Sequence, residues 1–129
     1  MIVLDASALV CVLLESPVDR ATRINERLGA EDIQAPHVID LEVTHALRRF
    51  VLGRELTPER AAAALRNLAE FPIERHPQTP LLEAIWRMRT NRTSYDAAYV
   101  ALAEILEAPL VTLDARMART PAAVPIEVF

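Results

Sequence analysis

Four acidic residues, spread along the chain, have the types and positions expected of groups that carry out chemistry. They are Asp5, Glu42, Asp96 and Asp114. Asp5 directly follows the apolar run Ile2–Leu4, and Asp114 follows the apolar run 110–113. Both runs are typical of strands that are buried on both faces of a sheet. Because ligands of an open parallel sheet bind at the carboxyl ends of its strands, we expect both aspartates at that edge.

The other two acids lie in predicted helices and, taken singly, have ordinary explanations. Glu42 flanks an apolar stripe that includes Ile39 and Val43, where a solvated glutamate is the commoner arrangement. Asp96 falls in the first turn of a helix, where the helix dipole favours a carboxylate by about 0.3–1 kcal/mol. Neither residue indicates a site without the strand-end aspartates.

Together the four acids predict a metal site. Clustered carboxylates repel one another unless a cation neutralises them, and oxygen-only ligands suit Mg²⁺ or Mn²⁺. No cysteine pair or histidine spacing indicates zinc. A metal held in this way activates water for phosphoryl chemistry. Ser7 and Thr112 flank the strand-end aspartates and are candidates to support the metal ligands, although helix capping and strand propensity also explain them.

Strands that alternate with helices predict an α/β fold, an α/β/α sandwich with a central, mainly parallel sheet, formed by residues 1–129 as one domain. Strands are predicted at 2–4, 32–35, 72–75, 110–113 and 126–129. Helices are predicted at 6–14, 17–28, 38–52, 59–69, 80–88 and 95–106, with a helical turn at 115–119. Ser16, Thr57 and Ser94 are the predicted helix N-caps, and Gly29 is expected to end the second helix.

Composition limits the other possibilities. The hydrophobic content of 52% supports a real core, and the formal charge of −4 argues against simple binding of nucleic acid through net charge. All 14 basic residues are arginine, a side chain whose planar group suits phosphate, although a GC-rich genome also explains the bias.

The single cysteine, Cys11, excludes an internal disulfide. With no signal-like N-terminus and no apolar run long enough to span a bilayer, we expect a cytoplasmic protein outside the membrane.

Four segments resemble the PIN-domain family in the same order along the chain. They are MIVLDASAL around Asp5, VIDLEV around Glu42, SYDAAYVALA around Asp96 and LVTLD ending at Asp114. The segment around Asp96 is the most specific. A free-standing domain of this length resembles VapC, the toxin of VapBC toxin–antitoxin pairs.

This resemblance implies Mg²⁺- or Mn²⁺-dependent endonucleolytic cleavage of structured RNA, a tRNA or ribosomal RNA, with the four acids as metal ligands and catalytic residues. It also implies a homodimer and a VapB-like antitoxin whose tail covers the acidic site. Several arginines neighbour the site in sequence, and Arg92 and Arg116 are the preferred candidates for contacts with RNA phosphates. Pairing with surface acids is the alternative for both.

Other functions remain to be weighed. A receiver domain of a phosphorelay is similarly small and acidic, but that family needs a lysine, and this chain has none. A PIN-domain nuclease of RNA processing, outside toxin–antitoxin systems, is a second alternative, which the short length disfavours. A catalytically silent interaction module is the third, and the presence of all four acids argues against it.

Overall fold

The computed structural model describes residues 1–129 as strands alternating with helices. The strands are β1 (Ile2–Leu4), β2 (Ile33–Pro36), β3 (Ile73–His76), β4 (Leu110–Thr112) and β5 (Ile126–Val128). The helices are α1 (Ala6–Leu14), α2 (Val18–Leu28), α3 (Ile39–Leu52), α4 (Pro58–Glu70), α5 (Leu82–Arg87) and α6 (Ser94–Leu106). Short 3₁₀ helices occupy Thr79–Leu81 and Ala115–Arg119.

The five strands form one sheet in the order β3-β2-β1-β4-β5, and every neighbouring pair is parallel. The chain first moves from β1 outward to β2 and β3. It then returns to the other side of β1 and continues outward through β4 and β5. The strand order therefore reverses between β1 and β4, which is the position where open α/β sheets bind their ligands.

Right-handed crossovers decide where the helices lie. Since the chain moves in one direction through β1, β2 and β3, helices α1 to α4 fall on one face, and the reversed step to β4 places α5 and α6 on the other. The contacts agree, because α1 to α4 pack together, α5 packs on α6, and α1 and α6 both contact the sheet. The predicted α/β/α sandwich is confirmed, and its sheet is wholly parallel.

The core is built mainly from aliphatic residues and alanine. All residues of β1 and β4 are buried, as expected of central strands covered on both faces. Helix α6 buries seven consecutive residues, of which four are alanine, so its backbone approaches the sheet closely. None of the helices combines the length and the apolarity needed to span a membrane.

Helix boundaries correct the sequence prediction in three places. Thr93, not Ser94, is the N-cap of α6. At α2 the N-cap position belongs to Pro17, without a side-chain cap from Ser16. The predicted helix 80–88 divides into a 3₁₀ turn followed by α5, because the amide of Leu81 bonds three residues back. The cap at Thr57 and the helix end at Gly29 are confirmed.

Candidate active site

Asp5 and Asp114 follow neighbouring parallel strands and lie at the same edge of the sheet. In the register of β1 and β4, Leu4 is opposite Val111, and the amide of Asp5 donates to the carbonyl of Val111 at 3.1 Å. The two aspartates therefore lie at the carboxyl edge of the sheet, as the sequence predicts, and they flank the point where the strand order reverses. This position gives them access to a crevice rather than to the sheet interior.

The carboxylate of Asp5 is held by three donors on both of its oxygens. Oδ1 accepts from the hydroxyl of Ser7 at 2.7 Å and from the amide of Ala8 at 3.0 Å, and Oδ2 accepts from the hydroxyl of Thr112 at 2.6 Å. The residue is only 6% exposed. Burial raises the pKa of Asp5 above its ordinary value, and the three hydrogen bonds oppose that rise.

The two hydroxyls that hold Asp5 also tie together the ends of β1 and β4. The oxygen of Ser7 accepts from the amide of Leu113 at 3.0 Å, and the oxygen of Thr112 accepts from the amide of Asp114 at 2.9 Å. The two hydroxyl oxygens are 3.3 Å apart. Ser7 and Thr112 thus lie behind the acids, where the sequence analysis places them, and they fix the orientation of Asp5.

Glu42 points from α3 into the same crevice, where the buried hydroxyl of Tyr99 donates to its Oε1 at 2.8 Å. Burial raises the pKa of Glu42, and the nearby charges of Asp5 and Asp96 raise it further. Sequence reasoning did not identify Tyr99 as part of the site. Its spacing, three residues after Asp96 on α6, places both side chains on one side of the helix and was the available signal.

Asp96 lies in the first turn of α6, where its amide donates to the hydroxyl of Thr93 at 3.1 Å. The helix dipole at this end favours a carboxylate. Burial nevertheless raises the pKa of Asp96, and the charge of Asp114 acts in the same direction, while Arg116 and Arg92 lower it. The charge of Asp114, at the end of β4, thus contributes to the raised pKa of Asp96 on α6.

Asp114 differs from the other acids because an arginine engages it. Arg116 donates through Nε and Nη2 to both carboxylate oxygens, with distances of 2.7 to 3.2 Å. This pairing lowers the pKa of Asp114. The Arg116 side chain is 73% exposed and that of Asp114 is 22% exposed, so the pair lies at the open rim of the crevice.

Arg92, the other predicted phosphate contact, is half-buried and bonded to backbone. Its Nη1 donates to the carbonyl of Met117 at 2.9 Å, and its Nη2 donates to the carbonyl of Thr120 at 2.6 Å. These acceptors belong to the segment that follows Asp114. The structure thus places Arg92 near the acids, with each of its terminal nitrogens donating to a backbone carbonyl.

All four acids line one cavity of about 1250 Å³, together with Tyr99 and Arg116. No three acidic, histidine or cysteine side chains stand close enough to hold one ion as arranged. Two of the acids have protein partners instead, since Glu42 bonds to Tyr99 and Asp114 to Arg116. The oxygen-only donors and their mutual repulsion nevertheless fit a hard divalent cation, which rotation of the partly exposed Asp114 side chain would accommodate.

This combination of a parallel five-stranded sheet and acids around its switch point defines a class of protein. The family model described as "PIN domain" matches residues 2–123, so the chain belongs to the PIN-domain family. "Ribonuclease VapC1" of Mycobacterium tuberculosis is 44% identical over 120 residues, which are 92% of this chain and 90% of that protein. Within the PIN-domain family, the chain therefore belongs with the VapC proteins.

Solved structures show the same fold at low sequence identity. VapBC2 from Rickettsia felis, described as bound to a DNA fragment from its promoter, matches with a TM-score of 0.71 and 16% identity, over 100% of this chain and 99% of that one. VapC20 of Mycobacterium tuberculosis is described as a "Sarcin-Ricin loop cleaving toxin". It matches with a TM-score of 0.67 and 16% identity, over 95% of this chain and 97% of that one. At this identity the likeness concerns the fold alone.

Proposed function

We propose that this chain is the endoribonuclease toxin of a toxin–antitoxin pair and that it hydrolyses phosphodiester bonds of structured RNA, a tRNA or ribosomal RNA. Its four acids would hold Mg²⁺ or Mn²⁺ and form the catalytic centre. The observation that carries the proposal is the convergence of Asp5, Glu42, Asp96 and Asp114 on one cavity at the sheet's switch point. Residues 1–129 would act as one domain.

When bound, such an ion lowers the pKa of water and offsets the charge that develops on the phosphate. The protein supplies the orientation. Asp5 is fixed by its two hydroxyl partners, and Glu42 and Asp96 are half-buried carboxylates whose mutual repulsion a cation relieves. Ser7 and Thr112 support the site through Asp5.

Arg116 is the proposed contact to an RNA phosphate. Its guanidinium is exposed at the rim and lies against Asp114, so it can exchange this carboxylate for a substrate phosphate. Arg92 is less suited to that role, because two of its donors bond to backbone carbonyls and hold its guanidinium against the protein. The net charge of −4 leaves local arginines of this kind as the groups that attract RNA.

The proposed partners follow from the relatives. The VapBC2 match supports a VapB-like antitoxin as partner, and the VapC20 description supports a structured RNA as substrate. We propose that the antitoxin covers the acidic site. A homodimer is proposed as well. Leu82 and Trp86, one turn apart on α5, are 56% and 66% exposed and would suit contact with a second copy.

Cleavage of total RNA tests the proposal. The wild-type protein should cut RNA in Mg²⁺ or Mn²⁺, and cleavage should stop when EDTA removes the ion. In both ions Asp5→Asn should cleave on the order of 10²–10³-fold more slowly. Asp19→Asn, which changes an exposed acid on α2, is the matched control and should retain full activity. Equal cleavage by wild type and Asp5→Asn, or cleavage that persists in EDTA, would refute the assignment.

A further inference from the structure

We infer that Arg92 is a positioning residue that fixes the positions of Asp96 and Asp114 relative to each other. It does so by joining the connection before α6 to the segment that follows β4. The inference rests on the proposed function, because it assumes that these two acids share one metal site. It differs from a role in binding RNA, since the side chain acts inside the protein.

The contacts form a continuous path from one acid to the other. Arg92 directly precedes Thr93, whose hydroxyl caps α6 by accepting a hydrogen bond from the amide of Asp96 at 3.1 Å. On the other side, Arg92 donates to the carbonyl of Met117, whose own amide donates to the carbonyl of Asp114 at 3.1 Å. Only one side chain thus separates the turn that carries Asp96 from the turn that carries Asp114.

Each of the two segments has local anchors of its own, but among their hydrogen bonds only those of Arg92 join one segment to the other. The connection before α6 turns through bonds from the amides of Asn91 and Arg92 to the carbonyl of Met88. The segment after β4 is a short 3₁₀ helix, Ala115–Arg119, whose one buried residue is Met117. A 3₁₀ helix of this length has weaker backbone bonds than an α-helix, so an added side-chain bond affects its position strongly.

Arginine suits this task better than other cations. Its planar group presents several donors at fixed angles and stays charged, so it satisfies two neighbouring carbonyls at once. The Nη1 and Nη2 atoms reach the carbonyls of Met117 and Thr120, three residues apart at the end of the 3₁₀ helix. A lysine would bond one of these carbonyls at a time and would hold the segment less firmly.

Measurements of Mn²⁺ binding distinguish this role of Arg92 from a contact with an RNA phosphate. Mn²⁺ titration calorimetry on Arg92→Ala should show affinity about tenfold weaker than wild type, the size seen when supports of metal ligands are removed. Arg92→Lys should fall between the two. At saturating Mn²⁺, KM for RNA and the salt dependence of RNA binding should match wild type. Arg87→Ala, which alters an exposed arginine on α5, is the control and should change none of these.

Two results would overturn the inference. One is unchanged Mn²⁺ affinity in Arg92→Ala. The other is a salt slope reduced by about 0.7–0.9, the loss of one phosphate contact, because Arg92 would then bind RNA. Circular dichroism confirms that each variant is folded before titration, and Arg92→Lys serves if Arg92→Ala does not fold.

Hydrogen exchange keeps the inference separate from the proposed function. Wild-type protein that binds no Mn²⁺ would overturn the metal site itself. In that case the amides of Asp96 and Met117 still report on Arg92, because both should exchange faster in Arg92→Ala if the side chain joins their turns. Unchanged exchange at either amide would show that Arg92 does not connect the two turns, whatever the result of the Mn²⁺ titration.

Discussion

Asp5 and Asp114 end neighbouring strands of the same sheet, yet their surroundings are opposite. Asp5 is almost fully buried and is held by two hydroxyls and an amide, so its carboxylate has a single orientation. Asp114 lies at the rim and pairs with an exposed arginine. Burial raises the pKa of Asp5, whereas the guanidinium of Arg116 lowers that of Asp114.

The difference indicates that the two aspartates have different roles in the site. The inner carboxylate is prepared by the fold and cannot move without breaking hydrogen bonds that join β1 to β4. Under the proposed function the outer carboxylate exchanges its partner, since Arg116 would compete with a cation for Asp114 and Asp114 would compete with a phosphate for Arg116. We therefore expect the inner acid to govern metal binding and the outer pair to couple it to the substrate.

The largest expected effect comes from the inner acid. Asp5→Asn should lower RNA cleavage by on the order of 10²–10³-fold, because a fixed charge at the reacting centre is lost. Asp114→Asn should lower it by about 10–100-fold, since that carboxylate is adjustable. Initial rates of cleavage at saturating Mn²⁺ compare the two, and a larger loss in Asp114→Asn would contradict these roles.

Thr112→Val tests the hydroxyl that serves both strand-end acids. Valine keeps the shape of this fully buried residue but removes the donor to Asp5 and the acceptor of the Asp114 amide. Loss of buried partners should cost about 1–3 kcal/mol in free energy of unfolding and about 10–100-fold in activity. Urea denaturation and cleavage rates measure the two effects.

The control for this change is Thr22→Val on α2, where the exposed hydroxyl bonds only to the carbonyl of Val18. It should change the free energy of unfolding by no more than about 0.5 kcal/mol. Full activity in Thr112→Val would show that Asp5 does not need its hydroxyl partner for catalysis.

Tyr99→Phe tests the support of Glu42. The hydroxyl lowers the pKa of Glu42 against the effect of burial, so its removal should raise that pKa further. A protonated carboxyl cannot hold the metal, and the acidic limb of the pH–activity profile should therefore move to higher pH. Tyr95→Phe, which alters an exposed tyrosine of the same cavity, should leave the limb in place. A limb that moves equally in both variants would exclude this role for Tyr99.

The smallest expected effect concerns stability without metal. The pKa of Asp96 is raised by burial and then by Asp114, so the folded protein binds the proton more tightly than the unfolded chain. Its contribution to stability is present below the ordinary value of 3.8 and is lost as pH rises through the raised pKa. Asp96→Asn should thus stabilise the metal-free protein at neutral pH by about 0.2–0.5 kcal/mol.

Thermal unfolding with and without Mn²⁺ measures this effect. The ion should stabilise wild type and should have less effect on Asp96→Asn, so the order of the two proteins should reverse. A variant that is less stable than wild type in the absence of metal would show that the helix dipole outweighs repulsion at Asp96.

The sequence predicts well those features that depend on local patterns. An apolar run that ends in an acid fixes both the strand and the edge at which Asp5 and Asp114 appear. The small hydroxyl residues Ser7 and Thr112 are close to those acids in sequence, which makes them candidates to support the acids, and the structure adds their hydrogen bonds to Asp5. The parallel order of the strands then needs only the handedness of crossovers.

Features that depend on packing between distant segments could not be predicted in the same way. The bond from Tyr99 to Glu42 joins residues 57 positions apart, and Arg92 reaches carbonyls 25 and 28 positions away. A guanidinium near acids in sequence suggests a phosphate contact, and only the fold reveals that both terminal nitrogens of Arg92 bond to backbone carbonyls. At α6, residue type favours Ser94 slightly over the adjacent Thr93 as the cap, so the cap at Thr93 depends on the approach of the chain.

Calorimetric titration with Mn²⁺ tests the central claim most directly. The wild-type protein should bind the ion, and Asp5→Asn, Glu42→Gln, Asp96→Asn and Asp114→Asn should each bind it more weakly, with Asp5→Asn the weakest. Because burial and repulsion raise the pKa of three of these acids, wild-type binding should strengthen as pH rises. Affinity equal to wild type in all four variants would contradict a shared metal site.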